Sequence, residues 1–259
     1  MGVLKIDNIV FFTKKHPYLV SLFITITLLF ILFLAGMISV VEKIDSKFTF
    51  FVGFFITSLI LIIFITKNKK WEYYGFNSLS KSNINMKKTY IFIPLYVLAI
   101  MPLGTGIIQN LVIEDIIYII TYMILVAFVE ETIFRGLILQ LLSKKGLLPA
   151  IFGSSILFSI AHLMNTLRGN NLESTIIQIL YALIIGIILA ILVIRTKNIF
   201  FPIIYHYINN LVSSFNINAE MNLSLIINYS MFFIASIYAI YLYYLMMKNI
   251  ENENIKVIR

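Results

Sequence analysis

The chain has 259 residues, of which 60% are hydrophobic and only 12% are charged, and its formal net charge is +8. Soluble globular domains carry roughly 25% charged residues, so this composition indicates a membrane protein with several spans. It contains no cysteine, which excludes disulfides, a thiol nucleophile, thiolate zinc sites and palmitoylation of cysteine.

Eight hydrophobic runs follow one another along the chain. The first covers about 24 residues, which is too long for the apolar part of a signal peptide. We therefore predict an all-α polytopic membrane protein with about eight transmembrane helices. The runs are 18–41, 48–66, 90–108, 116–142, 149–163, 174–194, 199–215 and 223–247.

The basic residues cluster in alternate loops and do not form one basic face, so we expect no nucleic-acid partner. The positive-inside rule then places both termini in the cytoplasm of a multi-pass protein of the cell membrane. The longest break, 67–88, mixes lysines with Trp71 and other aromatic residues. This mixture predicts an interfacial segment on an anionic leaflet.

The fifth run, 149–163, covers only about 22 Å as a helix and leads directly into the polar residues 165–171. A helix that stops short of a full span is tolerated where it lines a water-filled cavity. The pattern predicts such a cavity beside the end of this helix.

Three ionisable residues lie inside the fourth run. Glu131 and Arg135 are four residues apart, about 40° around a helix, so we expect an ion pair on one face. Glu130 is rotated from Glu131 by about 100° and faces a different neighbour. Ionisable groups at bilayer depth indicate a functional role. The alternative is that all three residues form a buried ion-pair network that joins helices.

Two histidines also lie inside runs. His206 precedes Asn210 by one helical turn, and helices of opposite direction bring both to the depth of Glu130 and His162. These groups suit hydrolysis, in which Glu130 takes a proton from water and His206 with Asn210 donates to the developing negative charge. His162 orients the water or protonates the leaving amine. Because glutamate and histidine also bind zinc, a metal site is the alternative.

Other intramembrane hydrolases can be compared by their motifs. The His-Glu-x-x-His zinc motif is missing, and all three aspartates lie in tails or loops. Residues 153–156, Gly-Ser-Ser-Ile, resemble the Gly-x-Ser-x of rhomboid proteases, with His206 as the base. Small residues of this kind usually mediate helix packing, and a serine dyad leaves Glu130, Glu131 and Arg135 unexplained.

Three motifs together resemble those of one known family. Residues 130–136 resemble a Glu-Glu-x-x-x-Arg motif, residues 158–162 a Phe-x-x-x-His motif, and residues 206–210 a His-x-x-x-Asn motif. In this order they resemble the CPBP family of intramembrane endopeptidases, which includes CAAX proteases and bacteriocin-processing enzymes. The resemblance covers residues 116–215.

The resemblance implies a glutamate protease without a metal, so we expect no cofactor, with zinc as the alternative. It implies that Glu130 activates water, that His162 also takes part, and that His206 and Asn210 form the oxyanion site. Glu131 and Arg135 have a supporting role. The chain then divides into an N-terminal transmembrane region (1–115), a catalytic core (116–215) and a last span with its tail (216–259).

The expected activity is hydrolysis of a peptide bond in a membrane-associated peptide or protein, lipidated substrates included. The expected partners are the lipid bilayer and that substrate. The competing hypothesis is a non-catalytic membrane scaffold or bacteriocin-immunity protein. A third, a transporter with a proton-coupled Glu130, lacks the inverted repeat common in such folds.

Overall fold

A computed structural model describes residues 15–78, 80, 91–108, 111–167, 172–215 and 221–258, and this part of the chain is built from helices. The all-α class is thus confirmed. Five of the described helices, α1, α2, α4, α7 and α9, are long and apolar enough to cross a membrane, which makes the chain a multi-pass membrane protein. The helices are α1 (Pro17–Glu42), α2 (Ser46–Lys67), α3 (Ile93–Ile100), α4 (Ile113–Ser143), α5 (Leu147–Ala161), α6 (Met164–Leu167), α7 (Leu172–Thr196), α8 (Phe200–Ser214) and α9 (Met221–Ile258).

Three of the eight predicted spans form shorter helices. The third run contains only α3, followed by a 3₁₀ helix over Met101–Thr105, because Pro102 lacks the N–H that would continue α3. Helices α5 and α8 have 15 residues each, about 22 Å. The number eight and the cytoplasmic termini stay predictions, as does the division into three regions. Tyr90, where the third run begins, and the lysines of residues 1–14 lie outside the described residues.

Helix α4 changes its winding in the middle of the polar motif. It is α-helical from Ile113 to Glu131 and π-helical over Thr132–Ile138, and it returns to α-helix over Leu139–Ser143. Its first turn carries Glu114 and Asp115, where carboxylates interact favourably with the helix dipole. Single π turns inside α-helices occur frequently at functional sites, and this one contains Arg135.

Helices α5 and α7 approach closely because small residues face each other. A Cβ added to Gly186 would lie 3.0 Å from the Cβ of Ser155 and 3.2 Å from its Cα. The Ser155 and Ser154 hydroxyls donate to carbonyls of their own helix, Ile151 at 2.6 Å and Ala150 at 2.7 Å. Both serines are fully buried, and they act as small packing residues.

The loop after α2 fixes the start of α8. The Ile199 N–H donates to the Gly75 carbonyl at 2.8 Å, and the Asn198 Nδ2 donates to the Asn77 carbonyl at 2.8 Å. Gly75 has φ +91°, a conformation that side chains rarely adopt. The interfacial segment predicted over 67–88 lies partly outside the described residues, since 79 and 81–90 are not among them.

We predict that Gly186→Ala destabilises the protein by about 1–3 kcal/mol, because its methyl group must push α5 away from α7. Equilibrium unfolding in mixed detergent micelles measures this change. Gly36→Ala is the matched control, since its Cβ would lie 3.6 Å from the Phe50 ring, an ordinary contact. Equal stabilities of the two variants would contradict the close α5–α7 contact.

Candidate active site

The four residues predicted to carry the chemistry line one cavity of about 260 Å³, the central cavity. Helix α4 supplies Glu130, the end of α5 supplies His162, and α8 supplies His206 and Asn210. Helices α1 and α2 contribute an apolar wall of Leu28, Leu29, Leu32 and Phe54. The fold thus brings together residues that are spread over three helices, while their catalytic roles stay predictions.

Glu131 lies at the centre of a fully buried polar cluster. Its Oε1 is 3.0 Å from Arg135 Nη1, the ion pair expected from their spacing, and 2.8 Å from His206 Nδ1. A carboxylate paired with arginine is ionised and only accepts hydrogen bonds, so the His206 Nδ1–H donates. Glu131 therefore joins α4 to α8, a contact that the sequence analysis did not predict.

The other nitrogen of the same imidazole is near the second glutamate. His206 Nε2 lies 3.6 Å from Glu130 Oε2. The Glu130 side chain keeps 16% of its surface exposed, whereas that of Glu131 has none. His206 thus lies between two carboxylates, with Nδ1 committed to the buried one and Nε2 directed to the one that lines the cavity.

Phe158 packs against the buried polar cluster. The Arg135 guanidinium lies over its ring, 4.0 Å from the centroid, a distance typical of a cation–π contact. The ring also meets His162 and His206 edge to face, with centroids 5.1 and 5.8 Å apart. The Nε and Nη2 of Arg135 have no hydrogen-bond acceptor among the described residues.

His162 was expected inside the fifth span but lies just past the end of α5. It is the C-cap residue, and its N–H donates to the Ser159 carbonyl at 3.1 Å. The apolar run continues to Leu163, so hydrophobicity alone does not locate this end. The chain then turns beside the central cavity, where Asn165 Nδ2 donates to Gln178 Oε1 at 2.8 Å. Residues 168–171 of the polar stretch lie outside the described part.

The donors available to a metal here are Glu130, His162 and His206. Within the described ranges, no group of three or more histidine, aspartate or glutamate side chains is arranged to hold an ion. The expectation of chemistry without a metal stays a prediction, and a chelator tests it directly. The serine alternative has less geometric support, because neither Ser154 nor Ser155 is among the residues that line the central cavity.

The helical bundle contains two acids, two histidines and an amide at one site. The chain is therefore a multi-pass membrane protein with a polar site between its helices. Residues 112–212 match the family described as type II CAAX prenyl endopeptidase Rce1-like. All three motifs fall within the match, so the resemblance to the CPBP family is confirmed. This is a family of proteases, and the match supports a peptidase activity at a membrane. No curated protein and no solved structure matches the chain.

We predict that Glu131→Gln lowers the free energy of unfolding by about 3–5 kcal/mol, because it leaves the buried Arg135 without a counter-charge. The control is Lys47→Met, which breaks the ion pair with Asp115 at 2.9 Å, where both side chains are more than a third exposed. That change should have almost no effect on stability, because solvent screens an exposed ion pair. Equilibrium unfolding in mixed micelles compares the two variants, and similar losses would contradict a central role for Glu131.

Proposed function

We propose that the chain is an intramembrane endopeptidase that hydrolyses a peptide bond of a membrane-associated peptide or protein, lipidated substrates included. The observation that carries the proposal is the meeting of Glu130, His162, His206 and Asn210 around one cavity. A non-catalytic scaffold has no need of a carboxylate, two imidazoles and an amide at the same point. The match to a protease family supports the same conclusion.

Glu130 is the proposed general base. Its carboxylate lines the central cavity and is partly exposed there, so a water molecule in that cavity is within its reach. The carboxylate takes a proton from this water as the oxygen bonds to the carbonyl carbon of the substrate. Because Glu131 is fully buried and already bonded to Arg135 and His206, it is not available for this role.

His206 and Asn210 are the proposed donors to the oxyanion. Glu131 accepts from Nδ1 and fixes the orientation of the ring, so that a proton on Nε2 would make it a donor beside the reacting carbonyl. Asn210 follows one turn later on α8 and lines the same cavity. When the tetrahedral intermediate collapses, the C–N bond breaks and the leaving amine receives a proton, which His162 is placed to deliver.

The choice of a first substrate rests on the description of the matched family, which names a CAAX prenyl endopeptidase. We therefore choose a farnesylated peptide ending in a CAAX sequence as the first probe, with the unmodified peptide and an amphipathic helical peptide beside it. Because the long apolar helices indicate a multi-pass membrane protein, we propose that the protein lies in the cell membrane. No cofactor is part of this proposal.

We predict that purified protein in proteoliposomes cleaves at least one of these peptides and that Glu130→Gln abolishes the cleavage. Glu114→Gln is the matched control, because Glu114 lies on the same helix but is exposed in its first turn. Mass spectrometry identifies the products, and a parallel sample contains a metal chelator.

Each outcome of this assay separates two hypotheses. Cleavage that survives chelation supports the glutamate mechanism, whereas loss on chelation moves Glu130 and the histidines into a metal site. Products that persist in Glu130→Gln would overturn the role of Glu130 and return attention to the serines. If the wild type cuts nothing and Glu130→Gln restores the phenotype of cells that lack the protein, the scaffold hypothesis is correct.

For Asn210→Ala we predict a fall in kcat of about 10²–10³-fold with little change in KM, because an oxyanion donor acts mainly in the transition state. Asn68→Ala serves as the control, since Asn68 is exposed and donates only to the Phe64 carbonyl of its own helix end. Steady-state kinetics with the cleaved peptide measures both parameters. A rise in KM at unchanged kcat would show that Asn210 binds substrate instead.

A further inference from the structure

A second cavity, of about 350 Å³, adjoins the central cavity on the far side of α8. It lies between α7, α8 and α9, and we call it the amide cavity. The two cavities share three lining residues, Gln178, Asn210 and Ser213. Asn210, the proposed oxyanion donor, therefore lines both cavities.

Among the described residues, the lining of the amide cavity mixes apolar and uncharged polar side chains. Four carboxamides contribute, from Gln178, Asn209, Asn210 and Asn228, together with the hydroxyls of Tyr181 and Ser213. Asn209 occupies an unspecified position of the third motif and Asn228 lies outside all three, so the motifs give no reason for either carboxamide. The Oδ1 of Asn209 is buried and has no donor among the described residues. Asn228 is exposed, on a helix that is otherwise apolar enough to cross the membrane.

Carboxamides fit one ligand chemistry particularly well. An extended peptide in apolar surroundings needs a donor for each C=O and an acceptor for each N–H, because an unpaired polar group there is unfavourable. A carboxamide offers both functions without a charge to desolvate. Several carboxamides beside the proposed catalytic residues are therefore suited to binding the backbone of a peptide substrate.

A third cavity also adjoins the central cavity, and its lining is more apolar than that of the amide cavity. This cavity, of about 520 Å³ between α1, α2 and α4, is lined mainly by apolar side chains, such as Phe33 and Met37. It shares Leu32, Tyr122 and Met164 with the central cavity and no residue with the amide cavity. The central cavity, with the proposed catalytic residues, thus adjoins both of the others, which have no lining residue in common.

We propose that the amide cavity is the subsite for the uncharged peptide backbone on one side of the cleaved bond, with Asn209 and Asn228 as substrate-binding residues. The opposite flank of the substrate then lies in the apolar cavity. This inference rests on the proposed endopeptidase function. The competing occupant is water on its way to Glu130, and the experiment distinguishes the two.

The test uses the best peptide of the cleavage assay, shortened one residue at a time from each end. Asn228→Leu and Asn209→Leu should each raise KM about 3- to 10-fold for the full-length peptide, as expected for one lost hydrogen bond. They should have no effect on peptides that lack the flank bound there. Asn68→Leu is the control, the same change at an exposed helix end outside the cavity. A fall in kcat of equal size for every peptide length would overturn the proposal in favour of a water path.

A second measurement does not depend on turnover. Glu130→Gln protein is labelled with peptides that carry a photoreactive leucine on one flank or the other, and mass spectrometry maps the sites. We expect one flank to label Met231 or Phe232, which line only the amide cavity, and the other flank to label Phe33 or Met37. Absence of label at Met231 and Phe232 from every position would overturn the subsite. If the wild type cuts nothing, the proposed function fails, and the labelling still reports whether this cavity binds peptide.

Discussion

The site depends on one buried carboxylate with two partners. Glu131 neutralises Arg135 on its own helix and holds the imidazole of His206 on another. In surroundings of low polarity an unpaired arginine would lower the stability of the fold by several kcal/mol. Glu131 is therefore required both for the stability of the fold and for the arrangement of the site. The orientation of His206 therefore depends on the same carboxylate that the folded bundle needs. This coupling keeps a proposed catalytic ring in place without relying on a mobile surface loop.

Two neighbouring residues of identical chemistry differ only in what surrounds them. One helical step of about 100° turns Glu131 into the packed interior and Glu130 toward the central cavity. Enzymes commonly separate the tasks of paired acids through their environments. Here the buried carboxylate is bonded to Arg135 and His206, and the partly exposed one lines the cavity, where proton transfer is its proposed task. His206 lies next to both carboxylates and so connects the buried polar cluster to the central cavity.

Local spacing was enough to predict part of this arrangement. Residues four apart on a helix lie on one face, so the Glu131–Arg135 pair and the shared face of His206 and Asn210 follow from the sequence. The bond from Glu131 to His206 joins residues 75 positions apart, and no local pattern reports which helices are neighbours. Hydrophobicity located the long spans but not the early end of α5, because apolar residues continue past it. The amide cavity was missed for the same reason, since its residues come from three separate helices.

The π-helical segment of α4 accommodates an extra residue without turning one half of the helix away from the other. Thr132–Ile138 has more residues per turn than an α-helix would, so each of its residues contributes a smaller rotation. Deleting one residue there would restore α geometry and leave the two halves of α4 facing nearly the same neighbours. Deleting one residue from the α-helical part would instead rotate the two halves by about 100° relative to each other. The π segment is therefore the part of α4 where a change in length is best tolerated, and its cost falls on the residues inside it, Arg135 among them.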